Sequence, residues 1–491
     1  MHYFSTRNKQ KEYTASEAIL QGIAEDGGLF VDPSIRSKQI PLESLLTCSY
    51  QELANAIFPL FLSDFSSAAI SACVQLAYTD TFEDAAIAPI KKVGTDYVLE
   101  LYHGPTAAFK DMALAILPHL LTKAKENLQD KREVVILTAT SGDTGKAALA
   151  GFQDIPNTKI IVFYPKHGVS AIQEWQMITS EGSNVIVCGI EGDFDDAQRG
   201  VKEIFAKQLS NDHVQLSSAN SINIGRLIPQ VVYYFHAYLE LCRKKEIALH
   251  DPVNFAVPTG NFGNILAAYY AKLLGLPIHK LLCASNQNNV LYDFIQTGHY
   301  NRNQPLHQTI SPSMDILVSS NLERFLYEIG NQDSQYIKEL MEELQGTGQY
   351  QIHETLQCHM QKILYPSFCN DETTRKTIQE CFSEHAYLLD PHTAIAYHAA
   401  KQYQKDYGHA TPTIVVSTAS PFKFAQDVYE ALFESSDSLD SFAIMEQLAR
   451  DTNTVIPRSL SHLKDRQVRH QDVIPASQME AYVRAILNKE E

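Results

Sequence analysis

Five short apolar runs most constrain how this chain can fold: residues 133–137 (EVVIL), 159–163 (KIIVF), 184–188 (NVIVC), 253–257 (VNFAV) and 413–417 (TIVVS). The first shows no apolar–polar alternation, as suits a strand covered on both faces, and the others are equally apolar. Helical stretches separate them: from Lys146 onward, 171–181, 195–207 and 227–243, with another running to Leu274. A further strand is expected at 278–284. This strand–helix succession builds an α/β fold with a mainly parallel sheet flanked by helices. A length of 491 residues leaves room for two or three domains.

The flanks read differently. Residues 1–92 look like a separate unit: an amphipathic helix at 16–25, a turn at Asp26-Gly27-Gly28, a short strand at 29–31, then mostly helix to 88 with breaks near 47–49 and at Pro59. Residues 300–320 are turn-rich, 321–411 read as largely helical, and the tail from 431 as helical and charged. The expected division is an N-terminal domain over 1–92, a main α/β region over 93–430, and a helical C-terminal segment over 431–491.

Ligands of open α/β sheets bind beyond the carboxyl ends of the strands. Loops 104–110, 140–145, 260–264 and 418–423 are the candidates. The first lies in LELYHGPTAAFKDMA (99–113), where Lys110 stands between a strand end and the head of a long apolar helix. Small residues and Phe109 flank it, and Asp111 suits the first helical turn, at the positive end of the dipole. By itself this is either a solvated lysine at a helix start or one that partial desolvation would bring toward nucleophilic competence.

Ser141-Gly142-Asp143-Thr144-Gly145 offers hydroxyls and backbone N–H groups ahead of a helix, an anion-binding arrangement. It is not a nucleotide P-loop, because Thr140 stands where the first glycine belongs and Ala147 where the Mg²⁺-binding hydroxyl belongs. Gly260-Asn261-Phe262-Gly263-Asn264 is a second such loop, its glycines allowing close backbone approach to a phosphate. Two phosphate-type loops and a poised lysine suggest two phosphate groups near an amine nucleophile.

Together these stretches resemble the threonine synthase family, within the fold type II pyridoxal-phosphate enzymes (the tryptophan synthase beta-like group). The resemblance rests on His103 to Asp111 (HGPTAAFKD), Thr138 to Gly145 (TATSGDTG), Asn220-Ser221-Ile222-Asn223, Pro258 to Asn264 (PTGNFGN), Ser311-Pro312-Ser313-Met314-Asp315 and Ser417-Thr418-Ala419. Ser5-Thr6-Arg7 and Asp26 to Val31 (DGGLFV) look like the family's N-terminal domain. The resemblance implies two catalytic subdomains plus a smaller N-terminal domain.

It also implies that Lys110 carries pyridoxal phosphate as a Schiff base and is the catalytic residue. Phe109, Gly260, Asn261, Phe262, Gly263 and Asn264 would bind the cofactor, mainly through its phosphate, and Thr418 would place a hydroxyl at the pyridine nitrogen. Ser141, Gly142, Asp143 and Thr144 would face the substrate. Asn223, Arg226 and Lys423 would contact its phosphate or carboxylate. The implied reaction is that of a carbon–oxygen lyase acting on phosphates: O-phospho-L-homoserine and water give L-threonine and phosphate. One position departs from the pattern, since Ser420 stands where the family often has histidine.

A formal charge of −17 with no basic stripe argues against a nucleic-acid partner. No run approaches the roughly 20 apolar residues that span a bilayer. The opening MHYFSTRNKQKEYT lacks a signal-peptide core. The eight cysteines are scattered and form no CxxC pair, which suits a reducing compartment. The expectation is a cytoplasmic monomer or homodimer acting on a small molecule. The 18 histidines show no paired metal spacing, and no metal is expected.

Overall fold

In the computed structural model, residues 2–207, 213–433 and 440–487 are described. The apolar runs become strands of two parallel sheets, and the strand ends carry the candidate loops. The first three strands, β1 (Tyr3–Ser5), β2 (Asn8–Tyr13) and β3 (Phe30–Val31), form a small antiparallel sheet in the order β2-β1-β3. A capping box, Thr14 with Glu17, starts the helix Ala15–Gln21 that packs beside it.

The larger sheet contains β4 (Ile90–Val93), β5 (Asp96–Glu100), β10 (Val253–Pro258), β11 (Ile278–Ser285), β14 (Leu364–Phe368) and β15 (Thr413–Ser417), in the order β14-β11-β10-β15-β5-β4. Only the β4–β5 pair is antiparallel. The second sheet contains β6 (Glu133–Ala139), β7 (Thr158–Pro165), β8 (Val185–Glu191), β9 (Val214–Ser217) and β16 (Asp472–Pro475), all parallel, in the order β16-β8-β7-β6-β9. Strands β12 (His299–Asn301) and β13 (Gln349–Gln351) pair on their own.

Every residue of β7, β10 and β15 is buried, as their unbroken apolar character requires. The long helix Ile224–Arg243 runs through the core, its face from Ile224 to Leu239 wholly buried.

Four expectations need correction. Residues 321–411 are not all helical: β14 forms the edge of the larger sheet. Its Pro366 lacks an N–H, which a strand with a single neighbour tolerates. The charged tail likewise contributes β16, whose pairing with β8 only tertiary contact reveals. The helix after Lys110 is two helices, Asp111–Leu114 and Leu117–Leu128. Pro118 in the first turn of the second cannot donate to residue 114, and its ring crowds that carbonyl. Finally, the helix expected to reach 88 ends at Tyr78.

Candidate active site

Strands β10, β15 and β5 are neighbours, so the loops after them meet. Phe109 donates its N–H to the Thr418 carbonyl at 2.8 Å, and Ser420 donates to the Ala107 carbonyl at 3.0 Å. The Lys110 loop is thus stitched to the Thr418 loop. From the opposing sheet, the turn after β6 supplies Ser141 and Thr144. Together they line a cavity of about 670 Å³ with Phe109, Lys110, Thr418 and the whole segment from Pro258 to Asn264.

Lys110 Nζ lies 3.7 Å from Asp143 Oδ2 and 3.3 Å from Ser313 Oγ. Burial lowers its pKa to about 8; Asp143 opposes that shift, while Lys423 and Arg226 reinforce it. Asp143 carries the charge balance. Burial alone would raise its carboxyl, but Lys423 and Lys110, with hydrogen bonds from Lys423 and Gln173, hold it well below the usual range. Lys423 Nζ stands 2.6 Å from Asp143 Oδ1 and donates to the Thr106 carbonyl at 2.9 Å. A lysine mostly neutral above about pH 8 therefore sits at the cavity floor, ready to attack a carbonyl.

The loop after β10 is held from behind. Gly260 is tight: a Cβ there would lie 2.9 Å from the Ser313 carbonyl oxygen. Ser319 Oγ donates to the Gly260 carbonyl at 2.6 Å, and Asn321 donates to that of Asn261. Phe262 adopts a left-handed backbone (φ 60°) that turns the chain into the helix Gly263–Leu273. A non-glycine residue in that conformation stores strain at a functional turn. Asn264 Oδ1 accepts from the hydroxyls of Tyr233 and Tyr234, while its buried Nδ2 has no partner. Arg226 Nη1 donates to the Ala219 carbonyl, but its buried Nε is unpartnered too. Burial brings that guanidinium down to about 10.

The N-terminal unit braces this loop indirectly. Arg7 donates from Nε and Nη2 to Glu323, at 2.9 and 2.8 Å. Next to it, buried Arg324 ties the Phe30 carbonyl to Asn321.

Four of the residues named for the substrate, Gly142, Asp143, Asn223 and Lys423, do not line the cavity. Asn223 is fully buried below the cavity: Nδ2 donates to the carbonyls of Ile19 and Ser218, and Oδ1 caps the helix Ile224–Arg243. Lys423 is spent on Asp143 and Thr106. Gly142 and Asp143 stand behind the cavity wall. Gly142 has φ 131°, and a Cβ there would lie 2.5 Å from the Gln173 amide. Asp111 does not serve the helix dipole alone; its carboxylate takes the N–H and hydroxyl of Thr106, at 2.8 and 2.6 Å, and burial raises it to about 6. Sequence reasoning missed His392 and gave no individual role to Thr140 and Ser313, which lie in stretches it singled out; all three line the cavity. The motif from Ser311 to Asp315 was the one signal that could have pointed to Ser313.

A buried amine facing partnerless amide and guanidinium N–H groups calls for a carbonyl compound that also bears an anion. Pyridoxal phosphate is such a compound, and comparison places the chain among the pyridoxal-phosphate dependent enzymes. The sequence profile described as pyridoxal-phosphate dependent enzyme matches residues 88–419. Profiles of the threonine synthase N terminus and of the threonine synthase C-terminal region match residues 2–78 and 393–486. The chain belongs to the threonine synthase family.

It is 36% identical to threonine synthase of Pseudomonas aeruginosa, across 94% of this chain and 97% of that one. It is 41% identical to human threonine synthase-like 1 over 85% of its length, but spans only 58% of that longer relative. The crystal structure of pyridoxal-phosphate-bound threonine synthase from Brucella melitensis superposes with a TM-score of 0.87 at 36% identity, covering 99% of both chains.

The residues present fit pyridoxal phosphate. The orphaned Asn264 Nδ2 and the N–H groups at the head of the helix Gly263–Leu273 suit its phosphate. Lys110 suits its aldehyde, and Thr418 lines the same cavity. Among the described residues no helix is long and apolar enough to cross a membrane.

Proposed function

We propose that this chain is a threonine synthase, converting O-phospho-L-homoserine and water to L-threonine and phosphate. The observation that carries this reading is Lys110, buried, lowered to about 8 and held between Asp143 and Ser313 on the floor of the cavity. Lys110 would hold the cofactor. Phe109, Gly260, Asn261, Phe262, Gly263 and Asn264 would seat it, and Thr418 would meet its ring nitrogen. Bound there, pyridoxal phosphate supplies an electron sink for negative charge developing on the substrate carbons.

The chain's own groups do the rest. Freed by the substrate amine, Lys110 Nζ would take the protons from Cα and Cβ and return protons to Cγ and Cα. Phosphate would leave Cγ with the C–O electron pair, and water would add its hydroxyl at Cβ, its proton going to the released phosphate. Ser141, Thr144 and Arg226 line the side of the cavity where the substrate's anionic groups would lie; the unpartnered Arg226 Nε offers a charge-assisted contact. Asp143 acts on the substrate only through Lys110. The walls around Lys110 exclude the bulk water that would hydrolyse or release the substrate early.

We also infer a domain over 1–92, a two-part α/β region over 93–430 and a C-terminal segment over 431–491, in a cytoplasmic monomer or homodimer without nucleic-acid or membrane partners. The deciding experiment loads the purified protein with pyridoxal phosphate, adds O-phospho-L-homoserine, and quantifies phosphate, threonine and 2-oxobutyrate together. Equal threonine and phosphate are expected. Phosphate with 2-oxobutyrate and ammonia would move the activity to a phospholyase on the same fold. Absence of phosphate release would remove the substrate assignment.

A further inference from the structure

Ser313, His392 and Asp390 form a chain of contacts that ends on Lys110. Ser313 Oγ accepts from Lys110 Nζ at 3.3 Å. The Ser313 backbone N–H donates to His392 Nε2 at 3.3 Å. That contact makes Nε2 the acceptor and puts the imidazole proton on Nδ1, which lies 3.0 Å from Asp390 Oδ1. The carboxylate is buried and fully engaged: Oδ1 also takes the His392 N–H, and Oδ2 takes the Thr393 hydroxyl.

The turn that presents Ser313 is anchored at its far end as well. Asp315 Oδ1 accepts from Asn286, Asn288 and Thr309, at 2.7, 2.9 and 2.7 Å. Between these anchors, the Ser313 carbonyl backs Gly260. A 0.5 Å slip of this turn would both lengthen the Lys110 contact and disturb the phosphate loop. His392 holds the Ser313 backbone N–H, with its own ring packed 4.8 Å from Phe424.

We propose that His392, fixed by Asp390, is a positioning residue that sets the Ser313 hydroxyl against Lys110 and so orients the amine toward the incoming carbonyl. This rests on the cofactor role of Lys110 proposed above. A hydroxyl suits the task better than a second carboxylate. It accepts from the ammonium and donates to the neutral amine, so it orients both forms without trapping the charged one. Asp143, at 3.7 Å, supplies the charge on the other side.

The test measures how fast the full-length, cofactor-free protein captures pyridoxal phosphate at Lys110, trapping the adduct with borohydride and reading it by peptide mass spectrometry. Ser313→Ala and His392→Phe are each expected to slow capture by about tenfold, the scale of one lost neutral hydrogen bond. The double variant should be no slower than either single one, because both break one chain. His392→Gln should restore capture to within about threefold, since its amide oxygen can accept from the Ser313 N–H.

Capture by Ser313→Ala at the parent rate would overturn the proposal, as would additive losses in the double variant or a His392→Gln as slow as His392→Phe. If His392→Phe fails to fold, Ser313→Ala and His392→Gln still decide. A parent protein that takes no label at Lys110 would instead strike the functional reading beneath, and this proposal with it.

Discussion

Replacing Asp143 by Asn tests the charge arithmetic of the site most directly. Asp143 faces two ammonium groups, Lys423 at 2.6 Å and Lys110 at 3.7 Å. At an effective dielectric near 20 these attractions amount to about 6 and about 4 kcal/mol before desolvation is charged against them. Lys423 has no exposure, and its other contact is a carbonyl. Removing the carboxylate strands that buried cation, which costs about 3–5 kcal/mol of folding stability in comparable buried pairs.

The amide still accepts from Lys423, so the lower end, about 3 kcal/mol, is expected. Urea unfolding followed by circular dichroism measures it. The same substitution removes a group that raises the Lys110 pKa, so in the cofactor-free variant the pH midpoint for labelling Lys110 should fall below about 8. Adding Lys423→Met should recover much of the lost stability, because no unpaired charge remains. A stability loss under about 1 kcal/mol, or a double variant weaker than Asp143→Asn, would refute this account of the buried ions.

Three further outcomes follow from the geometry. Gly260→Ala drives a Cβ to 2.9 Å of the Ser313 carbonyl, so overpacking of about 1–3 kcal/mol and at least tenfold weaker pyridoxal-phosphate binding are expected in an equilibrium titration. Asn264→Ala removes one acceptor of the Tyr233 and Tyr234 hydroxyls, which keep Gln230 Oε1 and the residue 264 carbonyl, and should destabilise by about 1 kcal/mol; an unchanged thermal midpoint would contradict that. His236 is buried beside Tyr50, and burial lowers it to about 4. It stabilises fully above its unfolded value near 6.5, and that contribution is lost as pH falls from about 6.5 to 4, to a limit of about 3 kcal/mol. His236→Phe should flatten the stability–pH curve in that window; an unchanged slope would assign the acid sensitivity to other groups.

Locally encoded features read well from the chain. The strands β6, β7, β8, β10 and β15 are unbroken apolar runs, and burial on both faces leaves them no alternative. The glycines at 260 and 263, and Lys110 beside Phe109, mark loops because their backbone and charge suit few other settings. What failed lacked a local signal. Strand β14 contains a proline and borders helices, so its pattern passes for helix; β16 is short and exposed in a charged tail, and only its pairing with β8 makes it a strand. Asn223 was named for the substrate through the family resemblance, and in the folded chain its amide caps a helix and holds Ile19, 204 residues away.

By itself, then, the sequence pointed to which segments must be buried strands, where the chain could turn toward an anion, and which lysine stands in a loop at a strand end. Tertiary structure alone decided who stands beside that lysine. Ser313 is 203 residues from Lys110 and His392 is 79 from Ser313. Asp143 comes from the other sheet altogether, and Lys423 follows β15. Their meeting depends on two sheets facing each other across one cavity, and on the cost of leaving any buried charge without an opposite. No window of sequence holds either condition, because both are sums over contacts made after the chain has folded.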